Sequence, residues 1–169
     1  MISVALVALV LVFSVYAEEV KVTDPKSSAG EEFVVGVMEE GGKFYHDRVY
    51  TMTGIPKQYL GLTNITASAD TMGDLDVQWT FEINLSAYVY IGFDERWDPP
   101  EDRKQNPKKW FSNGFTKTGG SVVLRSPSPM DYWIYKSNEP YPKGKVTLDG
   151  ISQGGGDGTY RVIFVKQTN

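Results

Sequence analysis

Acidic side chains are concentrated in one charged segment, and paired carboxylates are the chemistry that such a segment could support. Residues 91–115, IGFDERWDPPEDRKQNPKKWFSNGF, contain five acids: Asp94, Glu95, Asp98, Glu101 and Asp102. A glycosidase needs one carboxyl group with a raised pKa and a second at a set distance, which a sequence does not give. Arginines and lysines are interleaved with these acids. The pattern therefore favours a solvated loop of mixed charge, and a small polysaccharide-active enzyme using Asp94 or Glu95 is the least favoured alternative.

Other catalytic groups are scarce. The chain has no cysteine and a single histidine, His46, in what reads as a tight turn between strands. A Ser-His-Asp triad would have to use this histidine, and no Gly-x-Ser-x-Gly elbow accompanies it. Zinc sites require more histidine or cysteine ligands than this chain offers. We predict that the protein is not an enzyme.

Several aspartates lie near turns, where Ca²⁺ could find hard oxygen ligands. Asp70, Asp74 and Asp76 precede a strand, and Asp149 and Asp157 flank a glycine-rich run. None of them matches an EF-hand loop, and aspartate is common in turns for its own hydrogen bonding. We therefore predict no cofactor, with a structural calcium ion as the alternative.

Aromatic side chains are the most informative chemistry in the sequence. They make up 13% of the residues, and Trp97, Trp110, Trp133 and Tyr135 fall in loops, next to loops or on a short strand. A flat aromatic ring can stack on the apolar face of a sugar and costs little entropy to order. The alternative is that these rings cover the ends of the fold. As a set, they favour a ligand-binding surface.

The elements that would position these rings are strands. In residues 75–83 apolar odd positions alternate with polar even positions, and similar runs occur at 87–93 and 161–166. Alternation with period two is typical of β-strands. Further short strands are separated by Gly, Pro, Asn and Asp turns, and only Pro56–Leu60 suggests a helical turn. The sequence predicts an all-β, antiparallel, jelly-roll-like β-sandwich of about eight to ten strands.

The N-terminus predicts export. Residues 1–17 are apolar and uncharged, as in a secretory signal peptide, and they are short for a membrane span. Residues 18–32 are polar and predict a flexible lead-in, so the β-sandwich module would occupy 33–169. A net charge of −4 and a pI near 5.0 give no overall basic character for nucleic-acid binding, although a local basic patch could still meet an acidic polysaccharide. Asn64 and Asn84 begin N-glycosylation sequons.

Four segments resemble a known family in the same order. KFYHDRVYTMTGIPKQYLGLTNITASADT (43–71), AYVYIGFDERW (87–97), WFSNGFTKTGGSV (110–122) and VTLDGISQGGGDGTYRVIFVK (146–166) are similar to motifs of small carbohydrate-binding-like β-sandwich modules. Such modules are appended to bacterial polysaccharide lyases, glycoside hydrolases, esterases and sulfatases. The resemblance carries over these residues by motif: Asp47, Arg48, Asp94, Arg96, Trp110, Gly114, Phe115 and Gly119. This chain departs from the pattern in a longer charged loop before Trp110.

The resemblance implies a secreted, non-catalytic module that binds a polysaccharide. Asp94 and Arg96 would lie where a strand leaves the sheet, which suits a binding rim, and Asp47 with Arg48 would form a structural turn pair. The predicted ligand-binding residues are Asp94, Arg96, Trp97, Trp110, Trp133 and Tyr135. The alternative is a structural or protein-interaction β-sandwich of a secreted or surface assembly.

Overall fold

The computed structural model describes residues 19–69, 77–94, 109–125, 129–150 and 161–168, which form ten strands and one short helix. The side chains of Asp94, Lys109, Trp110 and Arg161 are not part of this description. Every strand pair is antiparallel, and the strands form two sheets. The predicted all-β antiparallel sandwich is confirmed.

The strands follow the alternating segments of the sequence closely. Their bounds are β1 Val22–Ser27, β2 Val34–Val37, β3 Thr51–Thr53, β4 Thr63–Thr66, β5 Trp79–Ile83, β6 Ala87–Asp94, β7 Phe115–Arg125, β8 Pro129–Ser137, β9 Gly144–Leu148 and β10 Arg161–Gln167. Helix α1 spans Lys109–Gly114, and a single 3₁₀ turn spans Lys57–Tyr59 within the predicted helical turn.

Strand order places the C-terminal strand near the centre of the larger sheet. The seven-stranded sheet has the order β2-β4-β10-β6-β8-β7-β3, and the three-stranded sheet has the order β1-β5-β9. Residues 89–93 of β6 and 162–165 of β10 are all buried. Consecutive buried positions mean that apolar layers cover both faces of this part of the sheet. In β5, by contrast, Trp79, Phe81 and Ile83 are buried in alternation, and Trp79 belongs to the core.

The two faces of the seven-stranded sheet are distinguished by register, because successive side chains point to opposite sides. We define face A by Phe93 of β6 with its partner Trp133 of β8, and face B by Tyr90 of β6 with its partner Lys136 of β8. Each face carries its own aromatic cluster. On face A, Phe111 from α1 lies against Phe93, with ring centroids 5.7 Å apart.

Face B is covered by the segment that precedes β4. The Tyr59 ring, from the 3₁₀ turn, lies 5.2 Å from both the Tyr90 and the Phe164 rings. Farther along the same face, the Phe44 ring lies 4.4 Å from that of Tyr132, whose hydroxyl is 3.1 Å from the Tyr45 hydroxyl. These contacts fix the loops between β2 and β4 onto the sheet.

The N-terminal segment differs from the predicted flexible lead-in, because strand β1 forms within it. Val22 of β1 pairs with Ile83 of β5, and Ser27 pairs with Trp79. Val20 and Val22 are buried, so two apolar side chains in a polar stretch hold this strand to the core. The pairing is irregular between Thr23 and Lys26, which accommodates the proline and the polar residues that hide the strand in the sequence.

Candidate functional site

The predicted ligand-binding residues fall into two groups. Arg96 and Trp97 lie outside the described residues, whereas Asp94 ends β6 and Trp110 lies in α1, each described in its backbone alone. Trp133 and Tyr135 are fully described on β8. Among these residues the described side chains place only Trp133 and Tyr135 together, on face A of β8, whereas Asp94 pairs with Tyr132, which belongs to face B.

Trp133 is a half-buried indole on face A that does not belong to the hydrophobic core. It pairs with Phe93 of β6 on one side and with Ser121 of β7 on the other. The Lys117 ammonium nitrogen lies 4.0 Å from the centroid of the Trp133 ring. Such an exposed cation–π contact contributes about 0.5–1 kcal/mol, so a ligand could displace it at small cost.

Polar groups border this indole. The Ser121 hydroxyl donates a hydrogen bond to Asp131 Oδ1 over 3.0 Å. A carboxylate has several acceptor positions, so Asp131 can accept further hydrogen bonds from sugar hydroxyls. We call the surface formed by Trp133, Lys117, Ser121 and Asp131 the Trp133 patch. It combines a flat apolar ring with one cation, one carboxylate and one hydroxyl.

A bulge in β7 sets the spacing of the polar groups in the Trp133 patch. The pairing of β7 with β8 is irregular between Lys117, which pairs with Tyr135, and Ser121, which pairs with Trp133. Because of this irregularity, both residues lie beside Trp133. Gly119 lies inside the irregular segment with φ +82°, a conformation that residues with a Cβ rarely adopt. Gly119, one of the residues named in the resemblance, thus has a local physical role: it permits the bulge that orients Lys117 and Ser121 around the indole.

Tyr135 lies on face A two residues from Trp133 and packs against neighbouring aromatic rings. Its ring lies 5.0 Å from that of Phe111 and 6.4 Å from that of Phe93. Phe111 also stacks on Phe115, with centroids 5.3 Å apart. The aromatic cluster joins α1 to β6, β7 and β8 and holds the strand from which Trp133 projects.

A second polar surface lies on face B and was not predicted from the sequence. It is a groove of about 320 Å³ lined by Tyr88, Tyr90, Lys136, Lys166, Gln167 and Thr168, which we call the lysine groove. The Lys136 ammonium lies 3.5 Å from the centroid of the Tyr88 ring. Lys166 pairs with Tyr88 from the neighbouring strand β10. No carboxylate lines this groove among the described residues.

The floor of the lysine groove is rigid. Tyr90 is buried and stacks on Phe164, with centroids 5.0 Å apart and an interplanar angle of 11°. Burial, together with the neighbouring Tyr59 and Tyr88, raises the pKa of the Tyr90 phenol above its ordinary value. At the edge, the Thr168 hydroxyl donates to the Ser86 carbonyl over 3.2 Å.

The motif pair Asp47 and Arg48 forms a structural anchor away from both surfaces. Arg48 Nη1 donates to Asp47 Oδ2 over 2.9 Å, and the Ser68 hydroxyl donates to the same oxygen. The Ala69 amide donates to Asp47 Oδ1 over 2.9 Å. Burial opposes ionisation of Asp47, but the bonds from Ser68 and Ala69 and the charge of Arg48 outweigh it and lower its pKa below 3.8.

Other sequence candidates have structural roles. His46 Nε2 lies 3.0 Å from the Glu32 carbonyl oxygen. Asn64 is 1% exposed, so its side chain has no room for a glycan in the folded protein. The Asn84 amide group bonds to the backbone of Lys21 and Glu19.

The described part of the chain contains no group of three or more His, Asp or Glu side chains arranged to hold a metal ion. Of the proposed calcium ligands only Asp149 is described, and its Oδ1 accepts a hydrogen bond from the Gln78 side chain. Asp70, Asp74, Asp76 and Asp157 lie outside the described residues. Within those residues, no helix combines the length and apolar character needed to cross a membrane.

Comparison with known proteins identifies the fold. No family model and no curated protein matches the sequence. Among solved structures, the chain is similar to a β-glucuronidase from glycoside hydrolase family 2, with TM-score 0.64 and 15% identity over 86% of this chain. It is also similar to a GH138 enzyme targeting pectin rhamnogalacturonan II, with TM-score 0.55 and 16% identity over 93% of this chain. The chain spans 14% and 18% of those proteins, so it shares the fold of one part of each.

Proposed function

We propose that this chain is a secreted, non-catalytic carbohydrate-binding module whose binding surface is the Trp133 patch. The observation that carries the proposal is the position of Trp133. It is an indole outside the core, fixed on a strand and bordered by hydrogen-bonding groups. Saccharide recognition needs this combination, because the ring meets the apolar face of the sugar while polar groups meet its hydroxyls.

The structural neighbours support the same proposal. Both are enzymes of glycoside hydrolase families, and this chain resembles only a small part of each. A β-sandwich shared with a small part of such enzymes supports an accessory role in carbohydrate recognition. The proposal assigns no catalytic residue and no cofactor to this chain, and the apolar leader at 1–17 supports export.

Gel electrophoresis through embedded neutral polysaccharides tests the Trp133 patch. We expect at least one neutral polysaccharide to retard the protein, and Trp133→Ala to weaken that binding by about 2 kcal/mol, roughly thirtyfold. Trp133→Phe, which keeps a flat ring, should retain part of the affinity. Tyr50→Ala removes a half-buried aromatic that packs on the core elsewhere and serves as the matched control. Retardation that Trp133→Ala leaves unchanged would refute this assignment.

A structural or protein-interaction module is the second candidate, and edge strand β2 favours it. Val34, Val35 and Val37 are 46%, 39% and 51% exposed, and β2 ends the seven-stranded sheet. An apolar edge strand can pair with a strand of another chain. Sedimentation velocity over a range of concentrations would then show association that Val37→Lys abolishes. A monomer at every concentration would exclude self-assembly through this edge.

A further inference from the structure

The lysine groove has the charge and shape of an anion-binding site. Tyr88 of β6 is flanked by Lys136 of β8 and Lys166 of β10, because β6 lies between those two strands. Neighbouring strands are about 4.8 Å apart, and Lys136 lies opposite Tyr90, two residues along β6 from Tyr88, so the two lysine backbones are separated by roughly 12 Å. A lysine side chain is long enough for both ammonium groups to reach one ligand placed over Tyr88.

Both lysines lack a counter-ion within the described residues. The ion pairs there are Lys26 with Asp24 and Arg48 with Asp47. Lys136 instead lies over the electron-rich face of Tyr88, which compensates an ammonium only in part. Two neighbouring cations repel each other, and an anion between them removes that repulsion. The groove is positive in a chain whose net charge is −4.

We propose that the lysine groove is a second binding site, which takes the carboxylate or sulfate group of an acidic saccharide. Lys136 and Lys166 bind the anionic group, and the Tyr88 ring contacts the apolar face of the sugar. Gln167 and Thr168 complete the rim of the groove.

This site is separate from the Trp133 patch. The lysine groove is on face B at the start of β6, whereas the Trp133 patch is on face A near the end of β6. Binding at one surface therefore does not require the other. Loss of neutral-saccharide binding and loss of acidic-saccharide binding are distinguishable results.

The test uses gel electrophoresis through acidic polymers and their uncharged counterparts. Polygalacturonate is compared with its methyl ester, and dextran sulfate with dextran, at low ionic strength. We expect retardation by at least one acidic polymer, and the polymer that binds identifies carboxylate or sulfate as the ligand. Raising the NaCl concentration from about 0.01 M to 0.15 M should weaken the binding, because screening shortens from about 30 Å to about 8 Å.

Removing the lysine charges tests whether the acidic polymer binds in the lysine groove. Lys136→Met with Lys166→Met keeps the apolar stems and should weaken acidic-polymer binding at least about fivefold. Lys143→Met with Lys145→Met removes the same charge from exposed positions near β9 and should have little effect. Trp133→Ala should leave binding to the acidic polymer in place. Absence of retardation by either acidic polymer, or equal loss in both double variants, would overturn the proposal.

Discussion

The Trp133 patch and the lysine groove share one local arrangement but differ in what surrounds it. In each, a lysine ammonium lies over an aromatic ring, 4.0 Å from the Trp133 centroid and 3.5 Å from the Tyr88 centroid. Beside Trp133 there is a carboxylate, Asp131, whereas the lining of the lysine groove contains a second lysine and no carboxylate. The first surface is close to neutral and suits hydroxyl groups, and the second suits an anion. We therefore expect the neighbours of a lysine–aromatic pair to decide which ligand it favours.

Different buried aromatic rings pack behind the two surfaces, and their substitution separates the surfaces most sharply. Phe164, in central strand β10, stacks on Tyr90 of the lysine groove. Phe111, in short helix α1, contacts Tyr135, which is two residues from Trp133 on β8. Phe164→Ala should lower the free energy of unfolding by about 4 kcal/mol, since the central sheet cannot close the cavity. Phe111→Ala should cost less, about 3 kcal/mol, since a short helix can shift towards the cavity more readily than a central strand. Urea denaturation measures both values.

Binding by the same two variants sharpens the comparison. Under conditions where each variant is folded, Phe111→Ala should weaken neutral-saccharide binding, and Phe164→Ala should weaken acidic-saccharide binding. Phe164→Leu and Phe111→Leu fill most of the space and are the controls. If both alanine variants weakened both ligands equally, the two surfaces would be one coupled unit and the comparison would fail.

A substitution that lowers the stability of the whole fold should leave ligand binding at both surfaces unchanged. Asp47 offers a test of this expectation. Its pKa is lowered in the folded protein, so its stabilisation is present above the ordinary pKa near 3.9 and disappears as the pH falls through the folded value. Asp47→Asn should lower the free energy of unfolding at pH 7 by about 1–2 kcal/mol, because it breaks a hydrogen-bonded charge network. The difference from wild type should shrink below about pH 4.

The matched control for Asp47 is Asp24, which forms an exposed ion pair with Lys26. Asp24→Asn should change the stability by at most about 0.5 kcal/mol. Neither variant should alter binding at the Trp133 patch or the lysine groove. A shift in either affinity with Asp47→Asn would show that the anchor is coupled to that surface.

The sequence predicted most of the strands but neither the second surface nor strand β1. Alternation in 79–83, 87–93 and 161–166 is a local signal, because each residue reports the face it occupies. Strand β1 has the sequence VTDPKS, and its pairing with β5, more than 50 residues away, has no local signal. Long-range pairing of this kind depends on the whole fold.

The contrast between local and long-range signals also applies to the candidate sites. Trp133 could be proposed from the sequence because an aromatic on a short strand next to a loop is a local pattern. Lys136 and Lys166 are 30 positions apart and become neighbours of Tyr88 only through the strand order β10-β6-β8. Tyr135 is also an aromatic residue of the kind that stacks on sugars. Its ring, however, packs against Phe111 and Phe93, and these contacts help to hold strand β8 in place. Composition alone cannot separate those two roles.

The smallest effect we predict concerns Gly119, and it tests whether the bulge shapes the Trp133 patch. Alanine at φ +82° is strained, so Gly119→Ala should cost about 1 kcal/mol in unfolding free energy. Relaxation of that strain would shift Lys117 and Ser121 around the indole and weaken neutral-saccharide binding.

The neighbouring Gly120 has no positive φ, and a Cβ there would meet its nearest atom, Pro56 Cγ, at an ordinary 3.5 Å. Gly120→Ala is therefore the matched control and should retain both stability and binding. Acidic-saccharide binding should be unchanged in both variants, because the lysine groove lies on the opposite face. Equal effects of the two substitutions on neutral-saccharide binding would show that the bulge geometry is irrelevant to the patch, and the comparison would then depend on side-chain charge alone.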